Sequence, residues 1–176
     1  MRKIILNLAM SLDGFISDEQ GGFDWIIGHG DKTSDTEDSF SFEKFIESVD
    51  TVVMGSKAYE DCILTGLTAF EGIDIIVATS RRFEERENVT FISGDINKTI
   101  LDLREKPGKD IWLFGGAGLT DSFIREDIVD QYIIGLIPTI LGSGRPLFKG
   151  GYNKIDLHLD QFTIDEGVPV IIYSKR

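Results

Sequence analysis

The sequence predicts an α/β fold with a mostly parallel sheet, and three observations carry that reading. Short apolar runs alternate with stretches of helical period. The first run, Ile4 to Met10, is nearly continuous rather than alternating, as expected of a strand covered on both faces. Glycine-bearing turns follow several of the later runs.

In chain order, the strand at Ile4 to Met10 leads into a Gly- and Asp-rich irregular stretch from Asp18 to Asp35, long enough to close over a site. Ser34 and Glu37 have capping-box spacing, and Asp35 and Asp38 place negative charge at the positive end of a helix dipole, so a helix is predicted from near Ser34. Its apolar face is Phe42, Phe45, Ile46 and Val49. Strands are predicted at Thr51 to Met54, Ile73 to Ala78, Val89 to Ile92, Ile111 to Phe114 and Gln131 to Pro138. A helix from Asp95 to Glu105 stops at Pro107-Gly108, and another opens near Gly118 with Leu119, Phe123 and Ile124 as its apolar residues. After Pro138 the pattern changes to alternation at Ile155, Leu157 and Leu159. Val168 to Tyr173 follows across an Asp165-Glu166-Gly167 turn, a terminal antiparallel hairpin.

The 176 residues predict one domain spanning 1–176, with 41% hydrophobic residues to build a core. Thirty acidic against 18 basic residues give a net charge of −12, which opposes adhesion to nucleic acid or anionic lipid, so any anionic ligand must be held by local donors. No apolar run is long enough to span a bilayer and no signal-peptide pattern opens the chain; the expected location is cytoplasmic. The lone Cys62 makes no internal disulfide, and His29 and His158 have no zinc spacing, so no metal is expected.

Three turns after predicted strands are the candidate ligand loops, because in open α/β sheets such loops gather at one edge. Gly55-Ser56-Lys57 and Gly115-Gly116-Ala117-Gly118-Leu119 suit the approach of backbone N–H groups to a diphosphate at a helix N-terminus; the plainer reading is structural turns. Ser80, Arg81 and Arg82 suit an extra phosphate, as in NADP, or form a solvated basic turn. Trp25, in the long loop, either walls a ring-binding site or fills the core, and Trp112 is read as a packing residue. Asp38, four residues before Phe42, either points inward as a proton-donating carboxyl or stays exposed at the helix dipole. Neither a nucleophile elbow nor a Walker-type lysine motif is present.

The ordered set of segments is more specific than any member. Ala9-Met10-Ser11-Leu12-Asp13-Gly14-Phe15-Ile16, Val53 to Glu60, Phe114 to Leu119, and Ile137 to Gly144 with Pro146-Leu147-Phe148 resemble the dihydrofolate reductase superfamily. The closer branch is the reductase domain of bifunctional riboflavin-biosynthesis proteins and its stand-alone relatives. The resemblance implies a three-layer α/β/α architecture whose mixed, mostly parallel central sheet ends in antiparallel C-terminal strands. It also implies NADPH as hydride donor, with Ala9 and Ile16 against the nicotinamide. Gly55, Ser56, Lys57 and Gly115 to Leu119 would hold the diphosphate, and Ser80, Arg81 and Arg82 the 2′-phosphate. Gly115-Gly116 is a candidate cis peptide, and Ala58 replaces a threonine usual in the related motif. Asp13 and Asp38 are the catalytic candidates and Trp25 and Phe42 the substrate-side ones. With no deaminase segment ahead of it, the expectation is the reductase half alone, acting on a small heterocyclic or ribose-derived carbonyl substrate as a homodimer. Dihydrofolate reduction and a non-catalytic NADP-binding homodimer are the alternatives.

Overall fold

The computed structural model describes residues 1–176, apart from the side chains of Thr65 and Ala69. Its elements in order are β1 (Ile4–Ser11), β2 (Phe15–Ser17), α1 (Phe42–Ser48), β3 (Val49–Gly55), α2 (Ser56–Thr65), a 3₁₀ turn (Leu67–Phe70), β4 (Asp74–Ala78), β5 (Val89–Ile92), α3 (Ile96–Arg104), β6 (Asp110–Gly115), α4 (Ala117–Arg125), β7 (Gln131–Ile137), β8 (Arg145–Pro146), β9 (Leu157–Asp165) and β10 (Val168–Lys175). Eight strands form one sheet in the order β5-β4-β3-β6-β1-β7-β10-β9. It is parallel from β5 to β7, with β10 and β9 antiparallel.

The apolar continuity of β1 has its cause in this order. Ile4 and Leu6 pack on one face with Ile100 of α3 and Phe123 of α4, while Ile5 packs on the other with Phe45 of α1 and Tyr59 of α2. The helices therefore form two layers on the sheet, as the α/β reading anticipated. Connections through α1 and α2 run toward β5, and those through α3 and α4 run toward β7. Opposite directions place the two helix pairs on opposite faces if every crossover keeps the right-handed sense. Connections leave the adjacent strands β3 and β6 in opposite directions, so a topological switch point lies between them, where open α/β sheets form a crevice.

The terminal hairpin forms as predicted. Glu166 (φ 49°) and Gly167 (φ 78°) both have positive φ, the signature of a type I′ turn, and the ring of His29 occupies the space that a Cβ on residue 167 would need. The predicted helix start at Ser34 is not realised: α1 begins at Phe42, capped by Ser41, whose Oγ accepts from the Lys44 N–H at 3.2 Å. Residues 34–40 are irregular because their backbone bonds go elsewhere. The Thr36 N–H donates to the Ile164 carbonyl, and the Ile164 N–H donates to Thr36 Oγ1, tying the segment to the edge strand β9. Tertiary partners outcompete the local cap. Val49, expected on the helix face, opens β3 instead.

Candidate active site

The switch-point crevice widens into a cleft of about 1310 Å³ at the carboxyl ends of the parallel strands. Gly55 closes β3 and caps α2; Gly116 follows β6 and caps α4; neither cap has a side-chain hydrogen bond. The first N–H groups of both helices, which have no intrahelical acceptor, are thus left for a ligand. The two turns abut: a Cβ on Gly55 would lie 3.9 Å from both the Gly115 carbonyl oxygen and the Gly116 nitrogen. A Cβ on Gly116 or Gly118 would meet nothing within 4 Å, so both glycines border open space. The Gly115-Gly116 peptide is cis.

The cleft's second half is aromatic. Phe42 meets Trp112 edge-on at 5.7 Å, Phe70 lies 5.5 Å from Trp112, and Phe114 5.2 Å from it. The Trp112 indole N–H donates to the Asn7 carbonyl at 3.0 Å. A short ribbon closes the rim, pairing β2 with β8 so that Phe15 faces Pro146 and Ser17 faces Arg145. Residue 144 there must be glycine, because a Cβ would run into the Ser17 carbonyl.

Of the cofactor-side candidates, Ala9, Ile16, Gly55, Ser56, Lys57, Gly116, Ala117, Gly118 and Leu119 line this cleft; Gly115 sits just behind it. Ser80, Arg81 and Arg82 are exposed beyond the lining residue Ala78, and the Arg81 guanidinium forks onto both Glu60 carboxylate oxygens at 2.8 and 2.9 Å. That hydrogen bonding holds Glu60 below its usual carboxylate range. On the substrate side Phe42 lines the cleft, but Trp25 does not; its indole donates to the Gly22 carbonyl, while its neighbours Phe23 and Ile26 reach the cleft.

Neither candidate carboxylate faces the cleft. Asp38 is exposed in the segment before α1, so the helical geometry meant to aim it inward is absent. Asp13 instead clamps two loops: its Oδ1 accepts from Ser11 Oγ at 2.6 Å and the Leu141 N–H at 3.1 Å, its Oδ2 from the Gly142 N–H at 2.7 Å. The Ser11 bond, helped by the two amides, lowers its pKa. A depressed carboxylate contributes fully above its unfolded pKa of about 3.9, and its contribution is lost as pH falls through the folded value. The clamp is therefore closed at neutral pH and opens only in acid. Asp13→Ala is expected to make the 139–146 loop cleavable by protease at pH 7, where wild type resists; equal cleavage rates would remove the clamp.

A protein-family model described as "RibD C-terminal domain" matches residues 2–170. The chain belongs to this family. It is 37% identical over 163 residues to the protein YwjB of Bacillus subtilis (strain 168), covering 90% of this chain and 89% of that protein. Among solved structures, a putative riboflavin biosynthesis protein from Shewanella sp. PV-4 superposes with a TM-score of 0.81 at 23% identity, over 100% of this chain and 99% of that one. Dihydrofolate reductase from Enterococcus faecalis, solved with NADP(H) and RAB-propyl, gives 0.66 at 14% identity over 99% of this chain and 96% of that one. The dihydrofolate reductase-like fold expected from the motifs is the fold observed.

Sequence reading missed Asn7 and Phe70, both in the lining; Phe114, at the head of the quoted motif, and Arg145, which closes a Gly142 to Arg145 stretch open to reading as a site wall, a dimer contact or a tight turn, line it too. Asn7 carried a signal: it is the one non-apolar residue in the run from Ile4 to Met10. Phe70 had none, because the sheet order that gathers the lining is not a local property.

Proposed function

We propose that the chain is an NADPH-dependent reductase that transfers hydride to a small heterocyclic or ribose-derived carbonyl substrate, of the riboflavin-biosynthesis reductase kind. The observation that carries this reading is the juxtaposition of two helix N-termini that lack a side-chain cap bond with an aromatic compartment inside one cleft. A single small-molecule site is typically about 300–1,000 Å³, so this cleft has room for two ligands side by side. The open space at Gly116 and Gly118 fits a diphosphate against backbone N–H groups. NADPH, when bound, supplies the hydride.

The chain's own residues then bind, orient and exclude water. Gly55 to Lys57 and Gly116 to Leu119 hold the diphosphate, with Arg81 and Arg82 at the end of β4 for the 2′-phosphate. Ala9 and Ile16 form the wall between the halves, and Phe42 and Trp112 orient the substrate ring. Alignment of two reactants at near-attack distance supplies much of the rate, by conversion of a bimolecular step to a unimolecular one. Asp13 contributes by holding the 139–142 loop that leads to Arg145. Because Asp38 lies outside the cleft, we do not adopt the dihydrofolate reading that rests on it.

The test is a thermal-shift titration followed by turnover. At about 100 Kd, a ligand that binds only the folded state adds ~2.7 kcal/mol, so NADPH is expected to raise Tm clearly, and NADH less. Stoichiometric NADPH oxidation is expected with a member of a pyrimidine, pterin, flavin and carbonyl panel. No shift with NADPH would refute the assignment, and binding without oxidation would leave only a non-catalytic NADP-binding protein. Ala58 lines the cleft on the first turn of α2, where a hydroxyl would reach the same cradle. Ala58→Thr is expected to tighten NADPH about three- to tenfold, the worth of one added hydrogen bond; unchanged affinity would place the diphosphate elsewhere.

A further inference from the structure

Asn7 breaks the rule that a central strand of a parallel sheet is apolar on both faces. It lies on β1 between β6 and β7, opposite Ile133, on the same face as Ile5 and Ala9. Its backbone carbonyl is taken by Trp112, but its side-chain Nδ2 is buried and has no hydrogen-bond partner among the described residues. An unmet buried amide donor destabilises a fold, and a well-packed apolar residue would be tolerated there without that cost. The residue lines the cleft beside Trp112, with Gly135 and Val170 of the neighbouring strands continuing the floor. A local rule broken at the floor of a ligand cleft marks a residue kept for its ligand.

We propose that Asn7 is a specificity-determining residue: its carboxamide recognises the neutral lactam edge of a planar heterocycle lodged against Phe42 and Trp112. A carboxamide offers one donor and one acceptor side by side, and a lactam offers the complementary C=O and N–H. The terminal torsion of Asn is soft and two-fold, so a partial turn brings Nδ2 to the ligand's oxygen. An amidinium edge, which presents donors only, pairs with one end of the carboxamide and leaves Nδ2 unmet. The inference deepens the reductase reading by naming the class of ring that the aromatic half accepts.

Calorimetric titration with lumazine and 2,4-diaminopteridine, which share a ring frame, tests it with NADPH absent and present, at mildly acid pH where the diaminopteridine is protonated on its ring and presents that donors-only edge. Wild type is expected to prefer lumazine by about tenfold or more, the worth of one or two hydrogen bonds. Asn7→Leu should lose that preference while its NADPH affinity is unchanged and its Tm is equal or higher. Asn7→Asp, which exchanges the donor for a second acceptor, should reverse the preference toward 2,4-diaminopteridine. If Asn7→Leu fails to fold, reversal in Asn7→Asp decides the matter alone. Wild type binding neither ring, or an Asp variant with the wild-type preference, overturns the proposal. Discrimination that follows residue 7 in a protein that does not bind NADPH would sink the reductase reading and keep Asn7; NADPH binding without discrimination would do the reverse.

Discussion

Gly116→Leu is expected to abolish NADPH binding while leaving the protein folded. The residue has φ −72° and ψ −164°, extended backbone that leucine adopts readily, and a Cβ there meets nothing within 4 Å. The side chain would therefore extend into the cleft rather than into the core. There it would occupy the cradle between the N-termini of α2 and α4 and keep a diphosphate from its N–H donors. Hydrogen bonds to a charged group are worth about 1.5–3 kcal/mol each, so losing two weakens binding by about 100-fold or more. Substitutions away from packed groups typically stay within about 0.5 kcal/mol, so the ligand-free Tm should move by about 2 °C or less. A variant that keeps the wild-type Tm and still binds NADPH within twofold would show that the paired turns are not the diphosphate site.

Trp112→Ala is expected to destabilise the fold by about 3–5 kcal/mol, a large share of the ~5–15 kcal/mol that holds an ordinary domain together. The indole is 4% exposed on β6 and meets Phe42, Phe45, Phe70 and Phe114, each with centroids within 5.7 Å. Truncation empties the hub of that cluster and also removes the donor to the Asn7 carbonyl. Trp112→Phe keeps most of the ring contact and loses the donor, and so should cost nearer 1 kcal/mol. Urea unfolding followed by circular dichroism separates the two, with m unchanged if the unfolded state is unaffected. An alanine variant losing less than ~1 kcal/mol would mean that the cluster is not cooperative with the core. The same residue thus packs the sheet, as the sequence reading had it, and also walls the cleft.

The contrast between Trp112 and Trp25 shows how far local reading reaches. Trp25 was the candidate ring wall and Trp112 the packing residue. Trp112 reaches the site because β6 lies next to β1 and β3 in the sheet, whereas Trp25 turns to a carbonyl three residues back in its own loop. The carboxylates repeat the lesson. Asp13 was recognisable as special from its motif, and its oxygens are engaged by Ser11, Leu141 and Gly142. Its amide partners lie about 130 residues away, at separations of 128 and 129. Asp38 depended on a helix that the contact of Thr36 with β9 replaces.

What the sequence determined alone was whatever rests on short-range chemistry. The continuous apolar run of β1, the Asp95 cap that accepts from the Lys98 N–H, and the Glu166-Gly167 turn each follow from residues within a few positions of one another. The glycine turns and the family motifs belong with them, because backbone approach to an anion requires only the absence of a Cβ. The tertiary structure decided which of those turns meet and which side chains face them. Gly55 and Gly116 share a crevice because β3 and β6 are neighbours with connections leaving in opposite directions, and Asn7 lies at its floor because β1 is central. Strand order and side-chain competition are long-range choices, set by the whole sheet's burial, and no window along the chain contains them.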